Sequence, residues 1–125
     1  MDALKSLSPY AHWLLRLAVA AVFLYHGPTK FVGEPAMGMS PFIWYLVGAM
    51  ETLGALLLLY GGFGADWATR LGGLLLIPVM LGAIFMVHWG QWSFVPSESH
   101  PMGGMEFQVT LLAISLYFLI RGNEA

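Results

Sequence analysis

The chain contains no cysteine. That absence excludes disulfides, thiolate nucleophiles, cysteine-based zinc sites and iron–sulfur clusters, so any redox chemistry must run on a bound cofactor. Charge is the second scarcity: five basic and seven acidic side chains make up 10% of 125 residues, where a soluble domain carries roughly a quarter. The net charge of −2 comes without any basic run to neutralise a phosphate backbone, which sets nucleic acid aside as a partner. A glycine-rich phosphate loop, an HExxH zinc helix, a GxSxG elbow and paired carboxylates at hydrolase spacing are also missing. Hydrolysis and phosphoryl transfer therefore have no residues to run on, and no catalytic set is assigned.

What the chain has is apolar length. Hydrophobic residues make up 58% of it and the mean hydropathy is +0.73, the figures of a single integral membrane domain spanning 1–125. About 20 apolar helical residues cross a bilayer core, and four stretches qualify as candidates: 10–27, 41–61, 67–89 and a shorter one at 105–120. The predicted fold is all-α, a four-transmembrane-helix bundle. Punctuation separates the spans as GPTKFVGEPAMGMS, GFGAD and GQWSFVPSESHPMGG, each rich in Gly, Pro, Ser or charge. Lys5 precedes an apolar run containing AVAA, as in a signal peptide, but the run continues into FLYHG and reads as a retained helix. Lys5, Arg70 and Arg121 fall on one side of the membrane and only Lys30 on the other, which places both termini in the cytoplasm by the positive-inside rule. Trp13, Trp44, Trp67, Trp89 and Trp92 sit near the span ends, where amphipathic rings prefer the interface.

Glu51 lies within YLVGAMETLGALLLLYG, where an unpaired charge would cost about 2.5–3.5 kcal/mol on insertion scales. Arg16 is the expected partner. If His26 and Phe42 are level at the outer surface, a rise of about 1.5 Å per residue puts Arg16 ~15 Å below the first and Glu51 ~13.5 Å below the second. The expectation is a buried Arg16–Glu51 ion pair across the first two helices. Two roles are open to it: fixing the register of the helices, or, if the carboxyl is neutral, carrying a proton or donating to a ligand.

Further ionisable groups gather at the outer ends of the spans as a second expected cluster: His26, Lys30, His88 and Glu106, with His100 in the last loop. Each also has a plain reading, Glu106 favouring a helix dipole and the histidines sitting at a wet interface. Two ligand readings attach to them. His26 and His88 are placed to hold a haem from two sides, and His100 with Met102 and Met105 in SHPMGGME, near Met37 and Met39, offers imidazole and thioether ligands of the kind that suit copper. Methionine is also ordinary apolar filler, and no metal site is assigned. The small residues Gly48, Gly54, Ala55, Gly72, Gly73 and Gly82 allow close helix packing, and Pro78 in LLLIPVML frees the Leu74 carbonyl and kinks the third helix. The halves echo each other, RLAVAAVFLYHG against RLGGLLLIPVMLGAIFMVHWG, each followed by a span with one Glu, although the charged residues sit at different depths.

The series LLRLAVAAVFLYHGPTK, GAMETLGALLLLYG, ATRLGGLLLIPVMLGAIFMVHW and GGMEF resembles the DoxX family of small four-helix membrane proteins over nearly the whole chain. The residues carrying the likeness are Arg16, Phe23, His26, Gly27 and Lys30; Glu51, Gly54 and Gly61; Arg70, Met80, Ala83 and His88; and Gly104 with Glu106. Met105, where the family often has an aromatic residue, and Pro28 depart from the pattern without touching a charged position. The resemblance implies a bundle in the cytoplasmic (inner) membrane of a prokaryote and an association with membrane redox systems. Related DoxD-type proteins resemble subunits of a thiosulfate:quinone oxidoreductase.

The leading expectation is therefore a redox-associated accessory subunit, not an enzyme on its own, with its outer cluster facing a quinone head group or another membrane redox subunit. A quinone ring needs a hydrogen-bond donor at each carbonyl, a role open to His26, Lys30 and His88. A small proton-coupled transporter and a purely structural membrane scaffold are the alternatives. Each is compatible with an oligomer.

Overall fold

The computed structural model describes all 125 residues, and its regular structure is entirely helical. A short α1 (Asp2–Leu7) and a 3-10 turn (Ser8–Tyr10) precede α2 (His12–Thr29), α3 (Pro41–Gly61) and α4 (Asp66–Ala83). Helix α4 widens into a π-helical turn, Ile84–His88, and α5 (Glu106–Arg121) ends in a 3-10 turn, Gly122–Glu124. Local chemistry explains the boundaries. Ser40 caps α3 by accepting from the Ile43 N–H at 3.2 Å, with Pro41 preset for the first helical position. The tight α3–α4 turn uses Gly64 at φ +123°, a backbone conformation that side chains disfavour.

Two helices are long and apolar enough to cross a membrane, Pro41–Gly61 and Asp66–His88. A third span arises if Asp2–Tyr10 and His12–Thr29, which meet at a 44° bend, count as one. The stretch expected as a fourth span forms α5, but at 16 residues it falls short of the length for a full crossing.

Each long helix packs on the next in sequence, while α2 and α5 share little direct contact. The α3–α4 contact is close because two glycines face each other there. A Cβ on Gly72 would lie 2.9 Å from the Gly54 carbonyl and 3.0 Å from the Leu58 nitrogen. Gly82, expected to serve packing in the same way, has nothing within 4 Å of its would-be Cβ and instead borders open space.

The register of α2 on α3 differs from the expected one. Gly27 backs onto Glu51 and Thr52, Gly48 backs onto Lys30, and the Trp44 indole N–H donates to the Lys30 carbonyl at 3.0 Å. The end of α2 thus meets the middle of α3, whereas the sequence reading set His26 level with Phe42. Residues 31–40 carry the chain outward before α3 begins, and the stacked rings of Phe31 and Tyr45, 5.9 Å between centroids, hold that overhang.

The distribution of side chains is inverted relative to a water-soluble bundle. Leu14, Leu17, Leu53, Leu56, Leu74, Leu81, Phe85, Leu116 and Ile120 point outward, while Arg16, Glu51, Thr69, His88 and Ser115 are buried. Helices with apolar outer faces and small or polar inner faces suit a lipid solvent.

Gly72→Leu drives a side chain into the α3 backbone and is expected to destabilise the protein by about 1–3 kcal/mol or more. Gly82→Ala, which meets open space, is expected to leave stability unchanged or slightly raised. Thermal unfolding of both variants in the same detergent checks the pair.

Candidate functional site

The two charges expected to pair are not partners. Arg16 is fully buried one turn into α2, at the end of the bundle that carries the chain termini, and its contacts are neutral. Nε donates to His12 Nδ1 at 2.7 Å, Nη1 to the Leu58 carbonyl at 2.6 Å and Thr69 Oγ1 at 2.8 Å, and Nη2 to Asn123 Oδ1 at 3.0 Å. The guanidinium also lies over the rings of Phe118 and Trp13, at 5.1 and 5.9 Å from their centroids. Leu58 belongs to the last turn of α3, whose negative dipole end offsets the positive charge. Asn123 ties the network off: its amide nitrogen donates to the Gly61 carbonyl at 2.9 Å and its backbone N–H to Asp66 Oδ1 at 2.7 Å. Asp66 in turn accepts from Arg70 Nε at 2.8 Å.

Glu51 takes Lys30 as its counter-ion. Nζ lies 2.7 Å from Oε1, with the Lys30 side chain 13% and the Glu51 side chain 6% exposed. At that distance the ammonium satisfies Oε1, a buried oxygen that no other group of the protein reaches. Lys30 also donates to the His26 carbonyl at 3.3 Å and stands 5.2 Å from the Trp44 ring centroid. The register slip described above makes this pair: with α2 ending opposite the middle of α3, its C-cap residue and not its first-turn arginine reaches the carboxylate.

The pair borders a cavity of about 490 Å³ at the loop end of the bundle. The last turns of α2, the first half of α3, the second half of α4 and the start of α5 enclose it. His26, Lys30, Glu51, His88 and Gln108 are its main polar groups in a wall otherwise largely apolar. Three members of the expected outer cluster, His26, Lys30 and His88, therefore do converge on one chamber. His26 and His88, the pair of the haem reading, share its wall.

Glu106, the fourth member, does not line this cavity. It borders a second, adjoining one, and its Oε1 accepts from the Phe94 N–H at 2.8 Å. That bond, with Gly104 N–H to Ser93 carbonyl at 2.7 Å and Met105 N–H to Gln91 carbonyl at 2.9 Å, folds the 89–105 loop back on itself. His100 is committed to the same loop: Nε2 meets the Trp89 carbonyl and Nδ1 meets Ser99 Oγ at 2.9 Å. Both ring nitrogens are used, and of the expected copper trio only Met102 borders the cavity. No group of three or more His, Asp or Glu residues is arranged to hold a metal ion.

The loop also determines what His88 offers. Its Nδ1 lies 2.8 Å from the Gly103 carbonyl. A carbonyl only accepts, so Nδ1 carries a hydrogen and donates it to Gly103. His88 ends the π-helical turn, a wider coil that often occurs at functional sites.

Three features of the site were not anticipated from the sequence. Gln108 borders the chamber with its Oε1 buried and unpartnered. Six of the eight methionines, Met37, Met39, Met50, Met80, Met86 and Met102, line the same wall. The Lys30–Glu51 pairing is the third. The recurrence of Met in both outer loops, α3 and α4 with its π-helical turn was the one available signal for the wall.

A double-mutant cycle distinguishes the pairings. Lys30→Met and Glu51→Leu are each expected to cost about 3–5 kcal/mol, since each leaves a buried charge unpaired, while the double variant recovers much of the loss. Arg16→Met and Glu51→Leu are expected to add to within about 0.5 kcal/mol. Unfolding free energies in mixed micelles read out both cycles.

No solved structure matches the chain. A protein of Bacillus subtilis (strain 168) named "Putative oxidoreductase CatD" is 29% identical over 118 residues, an alignment covering 89% of this chain and 78% of that relative. The DoxX family model matches residues 11–89, more than half of the sequence and all of the elements that bring Lys30, Glu51 and His88 together. The chain belongs to the DoxX family.

Proposed function

We propose that this is a four-helix integral membrane protein of a prokaryotic cytoplasmic membrane, with both termini on the cytoplasmic side, acting as a redox-associated accessory subunit whose loop-end cavity binds the ring of a lipid-soluble quinone. The observation that carries the reading is the cavity itself. It has about 490 Å³, within the 300–1,000 Å³ common for small-ligand sites, and a largely apolar wall with a few convergent polar groups. Thioethers adapt to flat rings and contribute about 0.3–1.5 kcal/mol per sulfur–aromatic contact, so a wall of six methionines suits a planar aromatic guest.

Access fits the same guest. The chamber is walled by α2, α3, α4 and α5, and α2 and α5 share little direct contact, so a ligand dissolved in the bilayer would enter between them without crossing water. In this arrangement α5, at 16 residues, spans the membrane with help from the folded 89–105 loop, which takes up the remaining thickness at the loop end. The relative named as an oxidoreductase agrees with a redox setting. When bound, a quinone supplies the electron-carrying ring. The chain's own part is to seat that ring beside Lys30, the cavity's one ammonium donor, and to exclude water with the methionine wall.

Decylubiquinone added to the purified protein is expected to raise its unfolding temperature, by about 2.7 kcal/mol of linkage at a hundredfold excess over Kd. Gly82→Leu, which fills the chamber without touching a polar group, is expected to abolish the shift while leaving the ligand-free stability intact. A well-folded wild type with no shift, or an equal shift in Gly82→Leu, refutes the reading.

A further inference from the structure

The 89–105 loop does not rise away from the bundle but is drawn back along it. At the termini end α4 and α5 are level, since Asp66 Oδ1 accepts from the Asn123 N–H at 2.7 Å and Arg70 Nη1 donates to the Leu119 and Ile120 carbonyls at 2.9 and 2.8 Å. From that common level α4 with its π-helical turn runs 23 residues and α5 only 16. At a rise of about 1.5 Å per residue, α5 starts roughly 10 Å below the outer end of α4. Three bonds fasten the loop to that low point: the Gly104, Met105 and Glu106 N–H groups donate to the Ser93, Gln91 and Trp92 carbonyls at 2.7, 2.9 and 2.9 Å. Residues 91–93 are thus held at the height where α5 begins, beneath the end of the turn at His88.

The side chains brought down with them are large and apolar. Trp92, Phe94 and Val95 are 56%, 63% and 55% exposed, a surface that no element of the protein covers. Trp89 continues it onto α4, its ring 5.1 Å from that of Phe85 on the outward side of that helix. The polar side chains go elsewhere. Gln91 turns back on the loop, its amide nitrogen donating to the Ser93 and Val95 carbonyls at 2.8 Å each, and His100 Nε2 meets the Trp89 carbonyl. The one carboxylate of the segment, Glu98, sits with Ser97 and Ser99 at its far turn. The N–H groups of Gln91, Trp92 and Ser93 donate to nothing in the protein, which excludes the hydrocarbon centre but not the level of the lipid esters, whose carbonyls accept. That level is also the one indole rings prefer.

We propose that residues 89–95 form a re-entrant, lipid-inserted segment: its backbone lies at the depth of the lipid esters, Trp89, Trp92, Phe94 and Val95 reach the acyl chains, and the turn at 97–99 stands in water. The proposal rests on the four-span reading and adds what covers the loop, which is lipid rather than water or a protein partner.

The absence of cysteine allows single cysteines to be introduced and spin-labelled without further change. Trp92→Cys, Phe94→Cys and Val95→Cys are labelled and reconstituted into vesicles of phosphatidylcholine and phosphatidylglycerol. Collision of each label is measured with oxygen, which concentrates in lipid, and with a nickel chelate, which stays in water. Phe85→Cys and Ser99→Cys give the lipid and water references, and Leu116→Cys reports on α5. The oxygen-to-nickel collision ratio at 92, 94 and 95 is expected to exceed that at 99 severalfold and to approach that at 85. Nickel-dominated collision at these positions with a lipid-like label at 116 overturns the insertion and leaves the four-span reading standing; a water-like label at 116 as well overturns both. Weak collision with both reagents at 92, 94 and 95 places the segment against a second copy and overturns the lipid assignment. Thermal unfolding of each labelled protein identifies a variant that misfolds, and the other positions then decide.

Discussion

A carboxylate on the inward face of α3 needs a cation within reach, and Lys30 supplies it by reaching across from the C-cap of α2. The rest of the loop end follows from that contact. For Lys30 to stand beside Glu51, α2 must stop against the middle of α3, and the glycines at 27 and 48 remove the side chains that would hold the two backbones apart. The first turns of α3 then project beyond α2, and a chamber opens where a longer α2 would have filled the space. Breaking such a pair on one side costs several kcal/mol, a large share of the stability of a protein this size.

The two buried polar centres differ in how completely they are satisfied. Arg16 spends four N–H bonds on His12, Leu58, Thr69 and Asn123, with aromatic faces covering what remains. Nothing is left over for a ligand, and the network serves to clamp α2, α3, α4 and the turn after α5 together at the termini end. Glu51, by contrast, is held by a single counter-ion, the Lys30 ammonium 2.7 Å away. A many-partnered network and a single ion pair, both built on a charge inside an apolar bundle, mark the two ends of the molecule.

Helical structure and the identity of the important charged residues were legible in the sequence, because apolar runs, glycine- and proline-rich breaks and isolated charges are local signals. Their pairing was not. Matching Arg16 to Glu51 required the depth of α3 relative to α2, which depends on the path of residues 31–40, and a loop containing Gly33, Gly38 and Met37 at φ +57° has no periodicity to read. The convergence of His26, Lys30 and His88 could be foreseen, since all three end helices on the same side. Glu106 shares that side yet turns to the Phe94 N–H, a backbone partner that no side-chain pattern announces. Gln108 passed unnoticed because a neutral amide at the start of an amphiphilic helix is unremarkable until its surroundings are known.

The hydrogen on His88 is governed from a distance. Gly103, at φ +86°, turns its carbonyl onto the ring, and Glu106 and the Ser93–Gly104 bond keep that turn in place. All of these residues, like Gln108, lie beyond the 11–89 stretch that the family model matches. A last loop folded differently would therefore release the His88 Nδ1 hydrogen while leaving the contacts of α2 on α3 and α3 on α4 in place.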